Sequence, residues 1–285
     1  MILVIGATGN TGSQVCQELS AQGIAYRALT RNADDARGKL PTEAEIVEAD
    51  LGNADQVLKA LQGVTGVYLA TPPNAEMVDW QIGVIDAAKQ AGVSKVVKLS
   101  GLGASPDAGP RLPRLHAQVE EHLRTSGLDY CILQPNLFMQ NLLGHGDSVK
   151  SDGLIYAPAA NGQISFTDIG DIARTAVRCL TDDNLKQEVI ALTGRSAETF
   201  HSVAEELSHL TGKQVQYQPV SFSDARASMV DAGYGEWLSD ALIELFELYA
   251  DNQGSYVSDD YKKVMGRQPT QVNEFLKQHQ SAFMS

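Results

Sequence analysis

Along the first hundred residues, short apolar runs alternate with longer stretches whose apolar positions recur at helical spacing. Residues 2–5, 24–30, 44–49, 67–70 and 95–100 read as strands. The first of these is apolar at every position, the pattern of a strand covered on both faces of a parallel sheet. Val15, Cys16 and Leu19 mark one face of a helix beginning near Ser13. Val57, Leu58 and Leu61 mark a second, with Asn53 as its cap, and Met77, Trp80, Ile82, Val84, Ile85 and Ala88 mark a third. Gly23, Gly63 and Gly92 stand where these helices stop. Strands joined by helical crossovers give an α/β fold, a doubly wound parallel sheet with helices on both faces. Right-handed crossovers then put the carboxyl ends of the strands on one edge.

Past residue 100 the pattern loosens. Residues 31–41 and 101–113 read as loops, 115–126 as a helix and 130–133 as a sixth strand running into Gln134-Pro135-Asn136. A short strand is expected at 164–166, and Thr167-Asp168 caps a helix to Leu180. Residues 189–192 and 215–217 are further strand candidates; 199–210, 222–230, 237–249 and 272–279 read as helices. Leu238, Leu242, Leu245, Phe246 and Tyr249 form a stripe that suits either a core-facing helix or a lid over a ligand. The expected organisation is a domain over 1–150 and a smaller, mostly helical substrate region over 151–285, with about 164–192 returning to the first.

Composition narrows the function classes. The 285 residues carry 22 basic and 35 acidic side chains, a net charge of −13, with no cluster of Lys and Arg to meet a nucleic acid. No apolar run is long enough to span a bilayer. The first strand starts one residue after Met1, which leaves no room for a signal peptide, so a cytoplasmic protein is expected. Cys16, Cys131 and Cys179 are scattered in apolar segments and read as buried thiols. The six histidines show no metal-ligand spacing, and no metal is expected.

The chemistry begins at the end of the first strand. Gly6, Gly9 and Gly12 stand three apart, with Thr8, Asn10 and Thr11 between them, and a helix follows. Glycine allows a tight turn and a close backbone approach, and a helix N-terminus offers free N–H groups to a pyrophosphate. This is the phosphate site of an NAD(P)-binding Rossmann fold. The second strand ends in Thr30-Arg31 with no acid at its tip. An arginine there suits the 2′-phosphate of NADP(H); an acid would suit the ribose of NAD(H). Asp50 and Leu51 end the third strand, where they either flank an adenine or form a surface turn. Ser100, closing the fifth strand, lies on the same edge.

Gly6-Ala7-Thr8-Gly9-Asn10-Thr11-Gly12, Thr30-Arg31, Ala49-Asp50-Leu51, Lys98-Leu99-Ser100, His116-x-x-x-Glu120, the run from Gln134 to Asn141 and the later 166–173 together resemble the NmrA-like group of atypical short-chain dehydrogenases. The resemblance is good over residues 1–180 and looser beyond. It implies that Ala70, Thr71 and Pro72 flank the cofactor ribose and that Pro135, Asn136, Leu137 and Phe138 run along the nicotinamide. Phe138, Met139 and Asn141 are then expected to line the acceptor pocket. None of the nine tyrosines has a lysine four residues later, so the Tyr-x-x-x-Lys proton chemistry of ordinary short-chain dehydrogenases is absent. His116 falls near the nicotinamide, as a proton donor or as a residue that positions the ribose. The family includes quinone and dye reductases and also regulators that bind the nucleotide without turning it over. The expectation is therefore an NADPH-dependent reductase passing hydride to a small conjugated acceptor such as a quinone or dye. The alternative is a redox sensor with a protein partner or as a homo-oligomer.

Overall fold

The computed structural model describes residues 1–284. From the N-terminus, β1 (Ile2–Ile5), α1 (Asn10–Ala21), β2 (Tyr26–Thr30), α2 (Ala33–Arg37), β3 (Glu45–Glu48) and α3 (Ala54–Ala60) alternate. They are followed by β4 (Gly66–Leu69), α4 (Met77–Gln90), β5 (Lys95–Leu99), α5 (Arg111–Thr125) and β6 (Asp129–Pro135). A 3₁₀ turn (Met139–His145), α6 (Gly146–Asp152), β7 (Leu154–Ala157), α7 (Ile169–Thr181) and β8 (Glu188–Leu192) come next. The chain ends with α8 (Phe200–Thr211), β9 (Gln216–Pro219), α9 (Phe222–Asp231), α10 (Gly235–Ala250), α11 (Asp260–Met265), α12 (Val272–Gln278) and a last 3₁₀ turn.

Two compact units result. The first holds residues 1–108, 112–134 and 169–191; the second holds 109–111, 135–168 and 192–285. Position 150, the expected boundary, lies inside the second unit. In the first, seven strands run in the order β3-β2-β1-β4-β5-β6-β8. Pairings from β3 through β6 are all parallel. Strand order reverses between β1 and β4, and in such sheets ligands bind beyond the carboxyl ends of the strands at that reversal. One face of the sheet is filled by Leu3, Ile5, Val67, Leu69, Val96 and Ile132, packed on α3, α4 and α5 through Val57, Leu61, Val84, Ile85, Val119 and Leu123.

The second unit has its own core. β7 and β9 form a two-stranded parallel sheet. Phe166, Phe200, Val203, Leu207, Tyr217, Phe275 and Leu276 pack around it. Phe200 meets Phe166 edge-on and stacks on Tyr217, arrangements that add to plain apolar burial. Leu245, Phe246 and Tyr249 of α10 pack on the same cluster, so the C-terminal part of that stripe faces a core.

Several local expectations are corrected. Residues 31–41 contain a short helix, because the Asn32 side chain accepts from the N–H groups of Asp34 and Asp35, and both acids favour a helix N-terminus. Residues 164–166 form no strand; Ile164 makes one antiparallel bridge, to Glu198. α5 begins at Arg111 rather than 115, since Pro113 sits in the first turn, where no intrahelical N–H is lost. α6, β7 and α11 were unanticipated. All three are short, and periodicity over so few residues is weak.

Candidate active site

The N-terminal turn is built by backbone contacts. Gly6 sits at φ +73°, and a Cβ there would lie 2.5 Å from the carbonyl oxygen of Ala70, at the end of β4. A Cβ on Gly12 would overlap the Gly6 carbonyl. The Gly9 N–H donates to Gly6 O at 2.9 Å and closes the turn. Any side chain at positions 6 or 12 would drive α1 away from the strands.

The N-terminus of α1 has neither a side-chain cap nor an acid in its first turn, whereas the uncapped α4, α6, α10 and α11 each carry an acid there. Asn32, Asn53, Thr199 and Ser221 cap α2, α3, α8 and α9 with side-chain oxygens. Gly9 caps α1 with none, and no acid lies in its first turn. Its N–H groups therefore point outward from a glycine turn whose Thr8, Gly9 and Asn10 are exposed. That donor set fits a pyrophosphate. Arg31 follows β2 on the same sheet edge, exposed and with no hydrogen bond or ion pair among the described residues. It is a free planar cation of the kind that takes up a phosphate.

Other expected cofactor residues are partly committed elsewhere. Asp50 is exposed, but its Oδ1 accepts from Gly52 N at 2.9 Å, and Leu51 packs on the apolar core. Ala70 is buried. Pro72 is exposed, and the Thr71 hydroxyl accepts from Gln81 Nε2 at 2.7 Å. Gln81 is itself buried, and its Oε1 has no partner. It fixes Thr71 at the strand end, a role not anticipated from the sequence.

At the end of β5 lies a buried polar network. Lys98 is completely buried. Its Nζ donates to Leu99 O at 3.1 Å and lies 3.0 Å from Nδ1 of His116 on α5. Burial pulls the Lys98 ammonium down to about 7, partly opposed by the Glu120 carboxylate. Burial, with the Lys98 charge beside it, holds His116 well below the ordinary histidine value, so its ring is neutral at pH 7. Glu120, also buried, accepts from Ser100 Oγ at 2.5 Å, Gln134 Nε2 at 2.8 Å and Arg124 at 2.9 Å. Ser100, expected at the cofactor, thus gives its hydroxyl proton to Glu120. Gly101 lies alongside the imidazole: a Cβ there would be in ordinary contact with it, 3.4 Å from His116 Cδ2 and 3.9 Å from Nε2.

Lys98, Glu120 and Gln134 stood in the motifs that carry the resemblance, yet no role was assigned to them. The available signal was a lysine set between Val97 and Leu99, just after the apolar pair Val96-Val97.

In the second unit, Pro135 and Asn136 are buried, Leu137 and Phe138 are half-buried, and Asn141 is exposed. The Asn136 amide donates to Ser165 Oγ and Gly254 O, and its Oδ1 accepts from Leu137 N and Tyr249 OH, all at 2.9–3.1 Å. Its side chain is fully occupied in holding this unit together. Met139 is corrected outright. It is completely buried among the apolar residues of the second unit, so its side chain fills a core and lines no acceptor pocket.

A model of the NmrA-like family matches residues 1–276. The chain belongs to this family. Among its NmrA-like relatives, NAD(P)H azoreductase of Xenophilus azovorans is 34% identical over 283 residues, 99% of each chain. Quinone oxidoreductase 2 of Escherichia coli (strain K12) is 30% identical over 281 residues, 96% of each chain. Among solved structures, the Escherichia coli NADPH-dependent quinone oxidoreductase complexed with NADPH matches at a TM-score of 0.88 and 28% identity, over 98% of this chain and 99% of that one. The Citrobacter sp. triphenylmethane reductase complexed with NADP(H) matches at 0.86 and 26%, over 97% and 99%. The expected Rossmann-type fold agrees with these neighbours, and the expected cofactor with their names. No described helix is long and apolar enough to cross a membrane, and no described cluster of His, Cys, Asp and Glu could hold a metal.

Proposed function

We propose that this protein is an NADPH-dependent reductase that passes hydride to a small conjugated acceptor of the quinone, azo or dye type. The backbone turn from Gly6 to Gly12 and the open end of α1 would hold the pyrophosphate, and Arg31 the 2′-phosphate. Thr71, fixed by Gln81, would meet the ribose. Bound NADPH supplies a hydride at its nicotinamide ring. The chain's part is to orient the two reactants and keep charge balanced around them.

The observation that carries this reading is the Lys98–His116 pair on the same sheet edge as the nucleotide turn. A protein that only sensed nucleotide would need the turn and Arg31, but it has no use for a buried cation holding a neutral imidazole. The relatives' names support the same class. The test is loss of NADPH absorbance with a panel of quinones, azo compounds and cationic dyes. Turnover of any of them supports the reductase. Tight NADPH binding with no turnover across the panel would replace it with the sensor reading.

A further inference from the structure

A buried lysine needs a reason. The hydrogen-bond partners of Lys98 Nζ are a backbone carbonyl and a neutral ring nitrogen. Its compensating charge, Glu120, is already engaged by Ser100, Gln134 and Arg124. Val96, two residues earlier on the same face, is packed in the apolar core. For stability alone an aliphatic side chain would serve at position 98 as well or better.

An ammonium has donors only, so Nδ1 of His116 must be the acceptor and the ring proton must sit on Nε2. Nε2 is the edge of the ring alongside Gly101, at the carboxyl end of β5. We propose that Lys98 is a positioning residue for proton delivery: it holds His116 by Nδ1 and leaves Nε2–H as a donor at the acceptor, which suits the site to neutral acceptors that become anions on receiving hydride. This inference rests on the reductase reading and sharpens its substrate class.

The chemistry separates the acceptors. Hydride added to a quinone or an azo compound opens a C=O or N=N π bond and leaves its electron pair on oxygen or nitrogen. That atom takes the proton from Nε2, and the N–H electron pair stays on the ring. Nδ1 takes a proton from the Lys98 ammonium, which becomes an amine. The ring is left neutral with its proton on the other nitrogen; water at the open edge then protonates Nε2 as the Nδ1 proton returns to the Lys98 amine, which restores the pair. The acceptor has gained one hydride and one proton. A cationic triphenylmethane dye needs none of this, since hydride on its central carbon cancels the positive charge. The groups facing Lys98 are His116 and Glu120 from α5 and Leu99 O from its own strand, while its register neighbours Leu69 on β4 and Ile132 on β6 are apolar. Proton delivery therefore weakens as pH rises past about 7, where Lys98 loses its charge.

The experiment compares wild type with Lys98→Met and Lys98→Arg on a neutral quinone and on crystal violet, with NADPH saturating. In Lys98→Met, the ratio of kcat on the quinone to kcat on the dye should fall roughly 100-fold, the scale of a lost general acid, with KM for the quinone little changed. The fall of quinone turnover with rising pH should disappear, and Lys98→Arg should restore part of the ratio. A second readout needs no cofactor. In nucleotide-free protein, nitrogen-15 spectra should show His116 neutral with its proton on Nε2, and Lys98→Met should mix the tautomers. Equal losses on both acceptors, an unchanged ratio, turnover of the dye alone, or a His116 proton on Nδ1 would each overturn the proposal. A wild-type protein that binds NADPH and reduces neither acceptor removes the reductase reading, and the inference with it; an active wild type with an indifferent variant removes the inference alone.

Discussion

Two of the protein's buried polar networks are built on opposite rules. Around Asn136 in the second unit, both functional groups of the amide are hydrogen-bonded, with Ser165, Gly254, Leu137 and Tyr249 as partners. Around Lys98 in the first unit, a cation is held against a neutral imidazole whose outer nitrogen has no partner among the described hydrogen bonds. A closed network rigidifies a core; one with an open donor and a displaced proton equilibrium can act on something else. The histidines repeat the contrast. His145 in the second unit is pushed down to about 4 by burial alone and packs edge-on against Phe200. His116 owes part of its displacement to the charge next to it.

Breaking the closed network should have the largest effect. Asn136→Leu removes four hydrogen bonds and takes from the buried Tyr249 hydroxyl and the Leu137 N–H their partner, so chemical denaturation should register a loss of about 3 kcal/mol or more. Next comes Arg31, the open cation at the tip of β2. Arg31→Ala should weaken NADPH binding by about 2 kcal/mol and NADH binding by much less, as read by fluorescence titration of both nucleotides. Equal losses for the two would remove the 2′-phosphate assignment.

The smallest effect should have the opposite sign. Lys98→Met should leave stability at neutral pH unchanged or raise it by about 1 kcal/mol, because an apolar side chain replaces a buried cation. The pH dependence follows from linkage. Lys98 titrates near 7 in the folded protein against an ordinary 10.5, so between those values the unfolded chain binds the extra proton. Wild-type stability should therefore gain from this residue as pH rises from 7 towards 10, and the penalty is complete below 7. The difference between wild type and variant in urea unfolding should shrink over that window. A difference independent of pH would show that Lys98 keeps its ordinary affinity for a proton.

Much of the candidate nucleotide site was legible because its signals are local. Gly6, Gly9 and Gly12 constrain one turn and one helix start, and Arg31 is adjacent to the strand that carries it. The same local reasoning failed at Met139. The motif from Gln134 to Asn141 carries the resemblance without saying which side chains point into a core, and the 3₁₀ turn beginning at Met139 decides that. Nor did local reasoning show that the Ser100 hydroxyl donates to a carboxylate twenty positions away. α2 was missed although Asn32, Asp34 and Asp35 spelled out a capped helix start, because the segment is polar and lacks an apolar face.

The sequence alone determined the alternation of strands and helices, the glycine turn and the arginine beyond β2, because each depends on neighbours within one or two turns of chain. Only the tertiary structure decided that Lys98 and His116, 18 residues apart across a loop, share a hydrogen bond. Which proton a buried group holds depends on what packs around it, and the packing of α5 on β5 is a property of the folded chain.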